Sequence, residues 1–125
     1  MSTENKNLEN PRVLAEEITK ILDAKKANGL KLLRIDDKTV LADYFVICGG
    51  NSNTQVRALA GEVEEKLAEM GLNPHHIEGY NEAVWTVLDY CSVIVHIFNR
   101  EAREFYKLEK LWSDAEDIDI SSLLV

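Results

Sequence analysis

The stretch "CGGNSNTQ", residues 48–55, sets two glycines between a strand-like run and a helix-like run. In that position backbone N–H groups and a helix N-terminus can be brought to a phosphate. Neither G-x-x-x-x-G-K-[ST] nor G-x-G-x-x-G is present, so the mechanics of a P-loop or a dinucleotide site are missing, and Gly49 and Gly50 are expected chiefly to let the chain turn. A nucleotidyl transferase needs carboxylates spaced to hold two magnesium ions. Asp36 and Asp37 are adjacent, hence on opposite faces if extended, and Asp43 has no second carboxylate two residues on. His75 and His76, neighbours beside Pro74, are poorly set to share a metal and read as exposed polar residues. Cys91 and His96 lie five residues apart, so on one strand their side chains point to opposite faces and a Cys–His nucleophile is not expected. These residues supply no catalytic group, no metal site and no cofactor site. A nucleotide-binding enzyme that uses the Gly49–Gly50 loop remains as a rival reading.

The elements that position these residues follow from periodicity. Asn10 can cap and Pro11 can open a helix whose stripe is Leu14, Ile18, Ile21, Leu22 and the stem of Lys25, with Gly29 as its stop. "LKLLRI" and "DYFVICG" read as strands, the second apolar on both faces. From residue 52 the period becomes helical: Val56, Leu59, Ala60, Val63, Leu67 and Met70 share a stripe, Ser52 and Gln55 fit a capping box, and Gly71 fits the stop. "NPHHIEG" is a connector or edge strand, followed by a hairpin. Asn99 can cap a last helix with Ala102, Phe105, Leu108 and Trp112 inward and Arg100, Arg103, Glu104, Lys107 and Lys110 in water.

This order predicts one α/β domain with a mixed sheet of about five strands and flanking helices, because the early strands and the later hairpin cannot all be joined by tight turns. Residues 1–9 read as a mobile tail, 10–113 as the domain, and 114–125 as an acidic tail that either docks or stays disordered. The 125 residues, 46% hydrophobic and 29% charged, suit one ordinary globular unit. No run approaches the ~20 apolar residues that span a bilayer, and "MSTENKNLENPR" lacks the order of a secretory signal, so a cytoplasmic protein with no membrane contact is expected. Cys48 and Cys91 both fall in expected strands and are read as buried, reduced thiols. A net charge of −8 opposes binding driven by nucleic-acid phosphates and favours a basic protein partner, though acidity can also serve solubility alone.

The hairpin "WTVLDYCSVIVHIF", Trp85 to Phe98, has two unlike faces. One holds Val84, Thr86, Leu88, Val93, Val95 and Ile97, suited to lie under helices. The other holds Trp85, Val87, Ile94, His96 and Phe98, large rings with N–H groups that need partners if buried. Periodicity allows this second face to be a second core layer or a patch held out for a partner. Asp89 and Tyr90, at the tip, are expected outside the core.

The segments "ADYFVICGGNSNTQVRALAGEVEEKL", "WTVLDYCSVIVHIF" and "REFYKLEKLWSDA" closely resemble the ribosomal silencing factors, the Iojap family. The resemblance covers most of the chain, and its D-Y-F-V-I, W-x-x-L-D-Y, V-H-x-F and F-Y-x-L-E-x-L-W-x-D-A elements are specific as a set. It implies a bacterial cytoplasmic protein with a fold similar to the nucleotidyl transferases but without their catalytic carboxylates. It implies docking on the large ribosomal subunit through the universal large-subunit protein numbered fourteen, a steric block to small-subunit joining, and repressed translation. Organelle relatives act in large-subunit assembly, which is the alternative. Little direct nucleic-acid contact and a monomer or weak homodimer are expected. Carried over by position, Trp85, Asp89 and Tyr90 would face the partner, with His96, Phe98 and Arg103 as neighbours. The family usually reads D-Y-G-D at the tip, where this chain has Cys91 and Ser92.

Overall fold

A computed structural model describes residues 7–124. Residues 1–6, most of the expected mobile tail, lie outside the described residues, as does Val125. Helix α1 (Pro11–Ala24) is followed by β1 (Asn28–Arg34), β2 (Tyr44–Gly49), α2 (Asn53–Glu69), the short β3 (His76–Glu78), the hairpin β4 (Trp85–Asp89) and β5 (Val93–Phe98), α3 (Arg100–Tyr106), α4 (Leu108–Leu111) and β6 (Glu116–Asp117). Among the described residues the strands form one mixed sheet in the order β3-β4-β5-β2-β1-β6. Its central pair, β2 and β5, is parallel and every other pair is antiparallel.

The helices form where side chains stop the chain ends from fraying. Asn10 Oδ1 accepts from the N–H groups of Arg12 and Val13, and Pro11 occupies the first turn, where its missing N–H costs nothing. Ser52 Oγ accepts from the Gln55 N–H, while Gln55 Oε1 reaches back to the Asn51 N–H rather than to that of Ser52. Their stripes, Leu14, Ile18, Ile21 and Leu22 on α1 and Val56, Leu59, Ala60, Val63 and Leu67 on α2, are buried against one side of the sheet. Leu32, Val46, Cys48, Leu88, Val95 and Ile97 meet them there. The opposite side gathers Leu33, Phe45, Ile47 and Phe98 under Ala102, Leu108 and Ala115.

Four expectations are corrected. Helix α1 ends at Ala24 and Lys26, at φ 64°, takes the turn that follows it; Gly29 is also left-handed, at φ 59°, but lies in β1, where a Cβ would stand 2.5 Å from Arg103 Nη1. The last helix is broken, because Lys107 adopts φ 50° and ψ 51°. Beyond that break Leu108 is buried, whereas Phe105, on α3 before it, is 78% exposed rather than inward. Val84 is exposed rather than packed on the helix side, since β4 begins only at Trp85 and Ala83, at φ 57°, is buried in its place. Cys91 is exposed at the hairpin tip instead of buried in a strand.

The acidic C-terminal run is held against the sheet. Residues Glu116 and Asp117 pair with Arg34 and Leu33, and the Ile118 N–H donates to the Leu32 carbonyl at 2.9 Å. Lys31–Asp117 (3.0 Å), Arg34–Glu116 (3.6 Å) and Lys38–Asp114 (3.6 Å) match its carboxylates to bases on β1 and the following turn. Ile118 completes the contact by burying its side chain in the helix-side core.

Candidate interaction face

The register of the hairpin sets Trp85 opposite Phe98, Val87 opposite His96 and Asp89 opposite Ile94, so the two faces separate as the alternation predicts. The face that begins with Trp85 is neither wholly core nor wholly open. Phe98 is fully buried and His96 nearly so, whereas Trp85, Val87, Ile94 and Trp112 are half-buried. Short helices explain the partial cover: α3 and α4 reach across Phe98 with Ala102 and Leu108 but meet β4 only at Trp85, through Tyr106.

An aromatic network fills the layer. Trp85 stacks on Phe98 with ring centres 4.9 Å apart and meets Tyr106 at the same distance; Tyr106 in turn touches Phe105 edge-on at 5.0 Å. Below, Phe45 stands edge-on to His96 at 4.6 Å and to Trp112 at 5.2 Å. Such pairs contribute about 0.5–1.5 kcal/mol each beyond their buried area, enough to hold the half-exposed rings in place. Trp85 Nε1–H donates to His96 Nδ1 at 3.1 Å, and His96 Nε2 is buried with no hydrogen-bond partner among the described residues. Burial lowers the His96 pKa from 6.5 to about 4, so the ring is neutral. An orphaned buried donor costs about 1–3 kcal/mol, which marks this histidine as more than filling.

Of the residues carried over by the resemblance, Trp85 and Asp89 reach the surface, half-buried, at opposite ends of β4. Tyr90 does not stand outside the core. It is 6% exposed in the helix-side core, because the residue after Asp89 continues the strand alternation inward. Its hydroxyl has no partner among the described residues, and burial, with a smaller contribution from Glu64, pushes its pKa well up. His96 and Phe98 lie beneath the surface rings. Arg103, expected in water, instead ties three elements together: it donates to the Glu109 carboxylate (2.8 Å) and to the carbonyls of Gly29 (2.7 Å) and Asn28 (3.3 Å). Phe105, Tyr106 and Leu111, the last 74% exposed, enlarge the apolar surface and were not singled out as surface residues by periodicity. The adjacent F-Y pair, six and five residues before the outward Leu111, is the available signal.

The tip has its own geometry. Asp89 Oδ1 accepts from the Cys91 N–H at 2.8 Å, and Cys91 sits at φ 71°, a conformation that glycine adopts without strain. The position where the resembling family carries glycine is thus left-handed here with a cysteine in it.

The glycine loop spends its polar groups internally. A Cβ on Gly49 would stand 2.6 Å from Asn28 Oδ1 and one on Gly50 3.1 Å from Val56. Asn28 donates to Asn51 Oδ1 at 2.9 Å, and Asn99 donates to Asn53 Oδ1 at 2.9 Å. The glycines therefore admit neighbouring side chains, and a cavity of about 270 Å³ remains beside Arg100 and Arg103. Burial pushes the Cys48 thiol up to about 12, which removes it as a nucleophile near neutral pH. His76 pairs with Glu78 at 2.6 Å rather than with His75. Among the described residues no three His, Cys, Asp or Glu side chains are grouped to hold a metal ion, and no helix is long and apolar enough to cross a membrane.

Comparison with known proteins bears on this face. The ribosomal silencing factor RsfS of Bacillus subtilis is 41% identical over 98 residues, covering 78% of this chain and 83% of the relative. That of Halalkalibacterium halodurans is 38% identical over 103 residues, covering 82% and 88%. A mouse protein named mitochondrial assembly of ribosomal large subunit protein 1 is 28% identical over 99 residues, 77% of this chain and 43% of its own length. A crystal structure of a Bacillus halodurans protein superposes with a TM-score of 0.77 at 34% identity, covering 86% of this chain and 98% of that one. The family model described as "Ribosomal silencing factor during starvation" matches residues 8–124, a span that takes in the whole sheet, the aromatic face and the docked C-terminal strand, and the chain belongs to that family.

Proposed function

We propose that this protein binds the large ribosomal subunit through the universal large-subunit protein numbered fourteen and, by occupying that surface, blocks joining of the small subunit and represses translation. The observation that carries the reading is the solvent-reaching aromatic band of Trp85 on β4 with Tyr106 and Phe105 on α3, linked ring to ring and set on regular elements rather than left on a loop. Interface cores favour such rings, because they bury much area at little cost in side-chain freedom. Asp89 at the rim and the net charge of −8 suit a basic protein surface, where they would speed encounter and fix register. The mechanism is steric, without a chemical step, cofactor or membrane, and the free protein is a monomer or weak homodimer in the cytoplasm.

A second reading, a factor in large-subunit assembly, is favoured by the name of the mouse relative. Both readings use the same face and differ in when it is occupied.

Co-sedimentation with separated subunits tests the proposal. Binding to large subunits alone, with a matching loss of joined ribosomes as protein is added, is the expected result; binding to neither subunit nor to assembly precursors refutes both readings. Binding to assembly precursors but not to mature large subunits would leave the assembly reading standing.

A further inference from the structure

His96 cannot be a partner contact of any size, since at 7% exposure it offers little to touch. What it touches is Trp85. The indole N–H is a donor only, so the 3.1 Å contact makes His96 Nδ1 the acceptor and, in a neutral ring, puts the proton on Nε2. That Nε2 is buried without a hydrogen-bond partner among the described residues. A leucine or phenylalanine at this position would fill the layer with no orphaned donor. The acceptor nitrogen is what an imidazole adds.

The stacked rings alone do not determine which way the indole points. Phe98 and Tyr106, each 4.9 Å from Trp85, fix the ring's depth, but stacking tolerates a flip of the indole within the slot. A directional hydrogen bond does not. His96 is itself held edge-on by Phe45 at 4.6 Å, and the rings packed against it, Phe45 from β2, Trp85 from β4 and Phe98 from β5, carry no charge.

We propose that His96 is a positioning residue: by accepting the Trp85 indole N–H from beneath, it holds that ring in the single orientation the ribosomal partner reads. This rests on the reading of the Trp85 face as the docking surface. Burial supports it by keeping the acceptor nitrogen unprotonated in the neutral range.

The test uses the full chain labelled with ¹⁵N, in which the two indole N–H signals are assigned by Trp112→Phe. In the wild type the Trp85 indole proton should exchange slowly with D₂O and the imidazole nitrogens should report the proton on Nε2. In His96→Leu the indole signal should shift and lose protection, and the Kd for large subunits should rise about tenfold, the scale of one hydrogen bond. His96→Asn, whose Oδ1 can stand near the place of Nδ1, should restore both. A folded His96→Leu protein that binds as the wild type does overturns the proposal. So does a proton on Nδ1 in the wild type, which can be read even if the variants do not fold. If Trp85→Ala leaves large-subunit binding unchanged, the docking surface has been misassigned and the proposal falls with it. A Trp85→Ala loss of binding beside an unaffected His96→Leu refutes the positioning role alone.

Discussion

On the side of α1 and α2, side chains from β1, β2, β4 and β5 meet two long helices whose apolar stripes run the length of the sheet, and nearly every residue there is buried. On the other side the same strands meet two short helices, seven and four residues long, and the rings at the margin stay half in water. One face of the sheet is thus sealed by regular amphipathic helices, and the other is sealed only at its centre, over Phe98 and Ile47. The difference teaches that a patch need not be separate from the core. Here the patch is the unfinished edge of a second core, stiffened by the buried part of the same layer.

If the comparison is right, damage to the two faces should be read out by different measurements. The largest loss of stability should come from the sealed face: Leu88→Ala, which empties a fully buried position, should lower the unfolding free energy by about 2–5 kcal/mol in urea titrations. A small effect there would mean that the helix side is loosely packed and that the comparison is wrong.

His96, at the junction of buried and open, should make stability fall in acid. Its folded pKa of about 4 lies below the unfolded 6.5, so the unfolded chain takes up the proton first. The contribution is complete above pH 6.5 and is lost as pH falls toward 4, by on the order of 3 kcal/mol at most. The measurement is the difference between pH 7 and pH 4.5 in urea midpoints of wild type and His96→Leu, which removes the contribution of groups common to both. Equal pH dependence in the two proteins would place His96 outside the layer.

Trp85→Ala should weaken large-subunit binding by about 2 kcal/mol or more while leaving a cooperative fold. Unfolding instead would show that the open face is as much core as the sealed one. The smallest effect belongs to the tip: Cys91→Gly, which relieves a left-handed residue at φ 71°, should raise stability by about 1 kcal/mol and leave binding unchanged.

The sealed face was readable from sequence because a helix that packs along its whole length writes its contacts at regular spacing, as Val56, Leu59, Val63 and Leu67 do. The caps at Asn10, Ser52 and Asn99 were equally plain, since short polar side chains before an apolar period have one obvious use. The open face was half readable. Alternation separated Trp85 and His96 from Thr86 and Ile97, but could not say how far a covering element would reach. The left-handed backbone at Lys107 ended α3 at Tyr106, so the expected single inward stripe from Ala102 to Trp112 does not form, and no residue type there announces it. Tyr90 was misplaced because a hairpin tip was equated with solvent, whereas the alternation of β4 runs one residue past its last ladder partner. The C-terminal strand has no period to read; it is held by ion pairs to bases more than seventy residues earlier in the chain, which only the fold brings near.

That C-terminal strand has a further consequence. A sheet that ended at β1 would offer seven residues of unpaired backbone, a template on which another chain could add itself. Glu116 and Asp117 occupy part of that rim with carboxylates paired to Arg34 and Lys31, and the opposite rim is the three-residue β3, bordered by His76 and Glu78. Both flanks are short and charged, which discourages aggregation by strand addition. A partner that meets this molecule must then recognise side chains, since its backbone rims offer little to pair with.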